Sequence, residues 1–171
     1  MGYNTDFSGR FTINPELTPE QVKYLQHFSG TRRMKRNNAI LKDMPDPIRV
    51  AVGLGLGHEG EFYTGSNIDN AGQDKDSSIV NYNLPPSSQV GLWCQWYPSF
   101  DGKELFTEGE KFYGYVEWLQ YLIDKFFKPW GRTLSGCVRY QGEESDDRGL
   151  IWVKDNITKC AGDTIIEATM D

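Results

Sequence analysis

The longest amphipathic pattern in the chain lies at residues 107–131, TEGEKFYGYVEWLQYLIDKFFKPWG. Steps of about 100° per residue gather Phe112, Tyr115, Val116, Leu119, Leu122, Ile123, Phe126 and Phe127 on one arc, the core face of a helix. Thr107 and Glu110 have the spacing of a capping box, so the helix is predicted to start near Glu108. Pro129 forbids continuation and Gly131 supplies a turn, which ends it near Lys128. Lys111, Glu117, Gln120, Asp124, Lys125 and Lys128 form its polar side. A second stripe runs along that side through Gly114, Trp118, Tyr121 and Lys125, with Tyr113 nearby. Large aromatics there meet either a second layer of the same chain or a partner.

Shorter patterns supply the other elements. FSGRFTI at 7–13 alternates as a strand does. TPEQ at 18–21 is a second capping box with Pro19 at the first helical position, Val22, Leu25 and Phe28 as the buried stripe, and Gly30 as the stop. Residues 37–48, with Pro45 and Pro47, read as a connector. EFYT at 61–64 and SIVNYNL at 78–84 read as short strands, and GLWCQWY at 91–97 as a stronger one. In the last, Leu92, Cys94 and Trp96 share one face and Trp93, Gln95 and Tyr97 the other. Asp101 and Gly102 signal a hairpin. Two further strands, 134–140 and 150–154, flank a loop at 142–149, and residues 162–171 are expected to finish a strand and fray. These elements predict an α+β fold in one domain, residues 1–171. It is a two-layer sandwich: a mainly antiparallel sheet of about five to seven strands, with two helices packed side by side on one face.

Composition adds limits. The aromatic share is 13% with five Trp, which suits a packed domain and argues against disorder. No run of 18 apolar residues and no leader pattern occurs, so a soluble, cytoplasmic protein without membrane association is expected. Cys94, Cys137 and Cys160 are odd in number and dispersed, which points to reduced thiols and supplies no zinc spacing. Residues 1–50 hold eight Lys/Arg against five Asp/Glu and residues 51–171 ten against nineteen, leaving −6. That balance argues against general nucleic-acid binding and leaves room only for a local basic site.

The local basic site is TRRMKR at 31–36. Arg32, Arg33 and Arg36 form either a solvated turn complementing the preceding helix end or a clasp for an anion. Trp93, Gln95 and Tyr97 could stack a ring and bond its edge, or be covered as an ordinary strand face. Gly53, Gly55 and Gly57 suggest a nucleotide loop, but the next glycine position is His58 and no helix follows. Residues 67–78 mimic a calcium loop, yet Ala71 and Ser78 stand where ligands are needed. No metal and no cofactor is therefore predicted. The 142–149 loop holds Glu143, Glu144, Asp146 and Asp147, either hydrated or a site for a cation or acid–base work. His27 and His58 have no patterned partners. The enzymatic version would set Glu143 or Asp147 with Arg32 or Arg33 on a phosphate-containing or nucleotide substrate. The features in hand, aromatic planes and arginines, fit better a non-enzymatic binding or regulatory protein. It would dock on a protein partner, as an inhibitor does, or hold a small nucleotide-like anion, with a homodimer possible through Gly114, Trp118, Tyr121 and Lys125.

Several segments together carry a resemblance: GYNTDFSGRF at 2–11, TRRMKR at 31–36, LWCQW at 92–96, EKFYGYVEWLQYLI at 110–123 with PWG at 129–131, YQGE at 140–143 and DN at 155–156. Over almost its whole length the chain resembles an uncharacterised family of small single-domain bacterial and phage proteins. The resemblance implies a bacterial or phage setting and brings no activity or catalytic residue with it.

Overall fold

The computed structural model describes residues 2–65 and 73–162. The first half of the polar loop at 67–78, through residue 72, and the terminal segment from 163 lie outside the described residues. In chain order the elements are strands β1 (Thr5–Ser8) and β2 (Phe11–Asn14), helix α1 (Pro19–Ser29), β3 (Lys35–Arg36), short helices α2 (Asn38–Leu41) and α3 (Pro47–Ala51), a 3-10 turn at His58–Gly60, β4 (Ile79–Asn81), β5 (Tyr97–Pro98), β6 (Glu104–Phe106), α4 (Tyr115–Leu122) continued by a π-helical turn (Ile123–Phe127), β7 (Thr133–Gly142), β8 (Arg148–Lys154) and β9 (Ile157–Gly162). The fold is α+β with a mainly antiparallel sheet. The chain sorts into two compact units, one drawn from Met1–Leu17 and Gln95–Asp171, the other Thr18–Cys94.

The first unit holds the seven-stranded sheet, ordered β5-β6-β2-β7-β8-β9, with β1 also on β7. β1 and β2 run along one edge of β7 in a single register, Phe7 opposite Tyr140 and Phe11 opposite Gly136. Gly9, at φ 103, and Arg10 interrupt what is otherwise the predicted strand. Asp155 and Asn156, both at positive φ, make the two-residue turn between β8 and β9. The Asn156 side chain accepts from the Leu134 amide (2.7 Å) and donates to the Arg132 carbonyl (3.0 Å), tying that turn to the start of β7. α4 and its π turn pack against β9 and β7. Phe7, Phe11, Trp96, Phe112 and Tyr115 form one aromatic cluster with ring centroids 5.0–6.1 Å apart. Leu150, Trp152 and Ala161, with Cys137 against them, form a smaller cluster.

The long helix is shorter than its pattern predicts. It starts at Tyr115, behind Gly114 in the left-handed region at φ 66. The Thr107–Glu110 box does not form; the Thr107 hydroxyl accepts from the Gly109 amide (3.2 Å), closing a local turn. Residues 107–114 are instead drawn off by partners distant in sequence. Glu110 gives its carbonyl to the Thr5 amide (2.8 Å), and Lys111 gives its own to the Gln95 side chain (3.0 Å). The predicted strand at 61–64 is irregular, and that at 91–97 survives only as β5; its alternation in burial holds from Trp93 to Tyr97, with Cys94 and Trp96 buried and Trp93, Gln95 and Tyr97 half-buried, while Leu92 is half-buried too. The connector at 37–48 contains α2 and the start of α3, nucleated by the Asn37 cap on the Ala39 amide (2.9 Å) and by Pro47 at the first helical position.

The second unit is built on α1, whose capping box forms as predicted between Thr18 and Gln21. Its interior mixes Tyr24, Leu25, Phe28, Met34 and Leu41 with buried Arg33, Arg36, Asp46 and Glu61. Such a core holds only if each polar group is answered. Asp46 accepts from the Thr64 hydroxyl (2.9 Å) and Gly65 amide (3.0 Å) and pairs with Arg49 (2.7 Å). The Tyr24 hydroxyl reaches the Phe62 carbonyl (2.8 Å).

Candidate docking surface

The arginine turn faces inward. Arg33, 3% exposed, donates to the carbonyls of Glu61 (3.0 Å) and Tyr63 (2.6 Å) and lies over the Phe28 ring at 4.3 Å. Arg36, 5% exposed, pairs with Asp76 (3.0 Å), donates to Ser78 (2.7 Å) and lies over Tyr63. Arg32 rests on the Tyr82 ring at 4.3 Å and donates to the Tyr82 carbonyl (3.1 Å). The guanidinium fork, with five donors, here satisfies loop carbonyls that no strand ladder pairs. An open anion clasp of Arg32, Arg33 and Arg36 is thus corrected: two of the three are interior. Asp76 is pushed up by burial, but the Ser78 hydroxyl and amide and the Arg36 guanidinium outweigh this and lower its pKa.

Trp93, Gln95 and Tyr97 are each half-buried, and of the three Tyr97 lies in a regular strand. Trp93 belongs to one unit and Gln95 and Tyr97 to the other. The Gln95 amide is committed to the 109–111 loop, so tightly that a Cβ on Gly109 would collide with its side-chain oxygen. The stripe on α4 is corrected too. Trp118 is 0% exposed, edge-on to Tyr121 at 5.2 Å, and Tyr121 in turn meets Phe126 at 6.1 Å. Beginning at Tyr115, the helix loses the polar first turn expected of it; Trp118, Leu119, Tyr121 and Leu122 are buried, and Glu117 is left as its exposed residue. Gly114 is its cap and Lys125 alone of the four is exposed.

The acidic loop between β7 and β8 holds residues 3 and 4. The Tyr3 hydroxyl donates to Asp147 (2.5 Å) and the Asn4 amide to Glu143 (2.7 Å), while the Glu144 amide reaches the Tyr3 oxygen (3.3 Å). The bond to Asp147 raises the Tyr3 pKa. Glu143 and Asp147 are therefore tied to structure, and Glu144 and Asp146 are exposed.

The most exposed large apolar side chain among the described residues is one that sequence reasoning passed over. Phe100 is 93% exposed at the tip of the β5–β6 hairpin. That tip is rigidly bonded. The Gly102 amide donates to the Ser99 carbonyl (3.0 Å), the Ser99 hydroxyl to Asp101 (2.6 Å), the Lys103 amide to Asp101 (3.0 Å) and the Glu104 amide to the Ser99 hydroxyl (3.0 Å). Gly102, at φ 73, packs so closely that a Cβ would stand 2.7 Å from the Leu17 carbonyl oxygen. The Ser99 hydroxyl, then the Lys103 amide, lower the Asp101 pKa. The Asp-Gly signal located this turn; only the neighbouring Phe, a residue turns do not require, hinted at its use. The unit that carries the hairpin holds ten Lys/Arg against sixteen Asp/Glu, and the other unit eight against eight, so the whole net charge of −6 belongs to the first.

Compared with family models, curated proteins and solved structures, the chain matches none. Among the described residues no group of three or more His, Cys, Asp or Glu side chains is arranged for a metal ion, and no helix is long and apolar enough to cross a membrane.

Proposed function

We propose that this chain is a non-enzymatic binding protein that docks on a protein partner through the Phe100 hairpin. The observation that supports this is a phenylalanine almost wholly in water on a turn fixed by five hydrogen bonds, counting the Ser99 amide to the Glu104 carbonyl. An aromatic anchor on a preorganised loop loses little conformational entropy on burial, which is how a few residues come to dominate an interface. The partner's complementary feature is an apolar pocket rimmed by cations, because the presenting unit carries all the net negative charge. The same charge disfavours an anionic lipid surface.

The test is quantitative capture from cell lysate with the wild type, Phe100→Ala and Phe100→Asp side by side. A partner retained by wild type and lost from both variants supports the reading. Identical captured sets from all three would sink it. The enzymatic alternative loses support from the same geometry, since Arg33 is spent on carbonyls and Asp147 on Tyr3.

A further inference from the structure

The two end strands of the seven-stranded sheet are built differently. β5 closes one end with two residues, one of them Pro98. β1, which also lies on β7, is covered on its outer side, where the Thr5 amide donates to the Glu110 carbonyl (2.8 Å). β9 closes the other end with six residues in unbroken register with β8, from Gly162 opposite Gly149 to Ile157 opposite Lys154. It has neither the proline, the bulge nor the brevity that ordinarily blunts a sheet edge. We propose that the β9 edge takes up an extended acidic peptide segment of a partner protein as an added strand, a surface separate from the Phe100 hairpin.

Two arguments carry it, one from the backbone and one from the charges. In an antiparallel ladder, residues of one parity turn their amides and carbonyls toward the neighbouring strand and those of the other parity turn them away. The Thr158 amide donates to the Gln120 side chain of α4 (3.1 Å) and not to β8, so the backbone groups of Cys160 and Gly162 point outward as well. Among the described residues nothing bonds those two amides. Cys160 is exposed and Gly162 half-buried, so an extended chain can reach both. In strand addition such backbone bonds supply affinity, and alternate side chains supply the choice of partner.

The charges make that choice. β7, β8 and β9 carry Arg139, Arg148, Lys154 and Lys159 and no carboxylate, although the unit that holds them has all the net negative charge. All four are exposed, and the registers set them on the face turned away from α4; Tyr140, of the opposite parity on β7, is the residue that meets Tyr115 of α4. Lys159 stands on that outer face of β9 beside Trp152 of β8, with exposed Ile157 on one side along the strand and buried Ala161 on the other. Cross-strand neighbours are stabilised by opposite charges and by apolar pairs, so the added strand sets an acid beside Lys159 and an apolar residue beside Ile157. Charge is screened over about 8 Å at physiological ionic strength, so the strand meets these local cations rather than the field of the whole unit. The α4 side asks for the reverse. Burial first, then the carboxylates of Glu117 and Asp147, push the Cys160 thiol up against the hydrogen bond from Tyr140, so small neutral side chains fit there and acids do not.

The probe is a phage-displayed library of random peptides selected on the immobilised protein, with enriched sequences synthesised and titrated by fluorescence anisotropy. Enriched peptides should alternate Asp or Glu with small neutral residues. Lys159→Glu should weaken their binding several-fold. Cys160→Pro removes an outward amide that β8 does not use, where an edge strand accepts proline, and should weaken binding by about tenfold or more. Cys160→Ala keeps the amide and should bind as the wild type does. On binding, hydrogen exchange should slow at the Cys160 and Gly162 amides and stay unchanged at Thr158, already held by Gln120. Equal binding by Cys160→Pro, enrichment of acid-free peptides or no enrichment at all overturns the proposal. So does a peptide that Phe100→Ala loses and Cys160→Pro retains, since it belongs to the hairpin. Should Cys160→Pro fail to fold, the exchange pattern of the wild type decides: protection that misses Cys160 and Gly162 overturns the added strand.

Discussion

Trp118 and Phe100 are both large aromatics in the same compact unit, and they met opposite fates. Trp118 sits on the side of its helix that carries charges in sequence, yet it is wholly buried; Phe100 sits in a turn and is almost wholly exposed. The difference lies in what each backbone is bound to. α4 packs on β9 and its π turn on β7, so Trp118 and Tyr121 are core while Glu117 of the same helix stays exposed. The Phe100 hairpin is closed by its own hydrogen bonds and by Gly102 against Leu17, and leaves its side chain no neighbour to meet. Burial is thus a property of the surroundings, and exposure of an aromatic on a rigid turn is the rarer outcome.

The contrast is sharpest in stability. Trp118→Ala should lose about 3–5 kcal/mol, the range for emptying a fully buried large side chain, read from urea or thermal unfolding. A loss below 1 kcal/mol would show that the helix face is open after all. Next in size is Arg33→Ala, which withdraws a buried guanidinium from the Tyr63 and Glu61 carbonyls. Leaving a buried acceptor unanswered costs about 1–3 kcal/mol. If Arg33 instead belongs to a solvated anion clasp, stability will not change and affinity for phosphate compounds will.

How much of this could be read beforehand follows from where each element finds its partners. α1 was legible because Thr18, Pro19 and Gln21 define its start within four residues. The fold class was legible because alternation survives in β2 and through most of β7, and because β8 is a short apolar run buried along its whole middle. The start of α4 was not, because Thr5 and Gln95, far away in sequence, take the carbonyls of Glu110 and Lys111. The arginines at 32, 33 and 36 read as surface charge since their carbonyl and ring partners, at 61–63 and 82, form no local pattern. His58 showed no partner for the same reason: Ser87 is 29 residues on. Of the candidate sites, the positions of turns were legible and the exposure of what they carry was not.

Smaller effects probe the exposed side of the comparison. Gly102→Ala puts a methyl group against the Leu17 carbonyl at φ 73 and should cost about 1–3 kcal/mol, weakening partner capture while Phe100 is still present. Phe100→Ala should shift stability by no more than about 0.5 kcal/mol, as for surface changes that break no special feature. A clear stability loss in Phe100→Ala would mean that the ring packs in solution, and the docking reading would lose its anchor.

The smallest effect is a titration. Asp101 ordinarily ionises near 3.8, and the folded hairpin holds it lower, first through the Ser99 hydroxyl and then through the Lys103 amide. A carboxyl depressed on folding adds stability that is fully present above its unfolded value and is lost as pH falls through the folded one. The hairpin should therefore keep its form from neutral pH down to about pH 4 and loosen only below. Carbon NMR of the Asp101 carboxyl, in wild type and in Ser99→Ala, reads this directly. Removing the hydroxyl should move the midpoint up toward the ordinary value, and the Lys103 amide should begin to exchange faster at the pH where Asp101 protonates. Equal midpoints in the two proteins would mean that Ser99 does not hold Asp101. The turn's rigidity would then rest on Gly102 and the backbone bonds, and Phe100 would be presented as firmly in acid as at neutral pH.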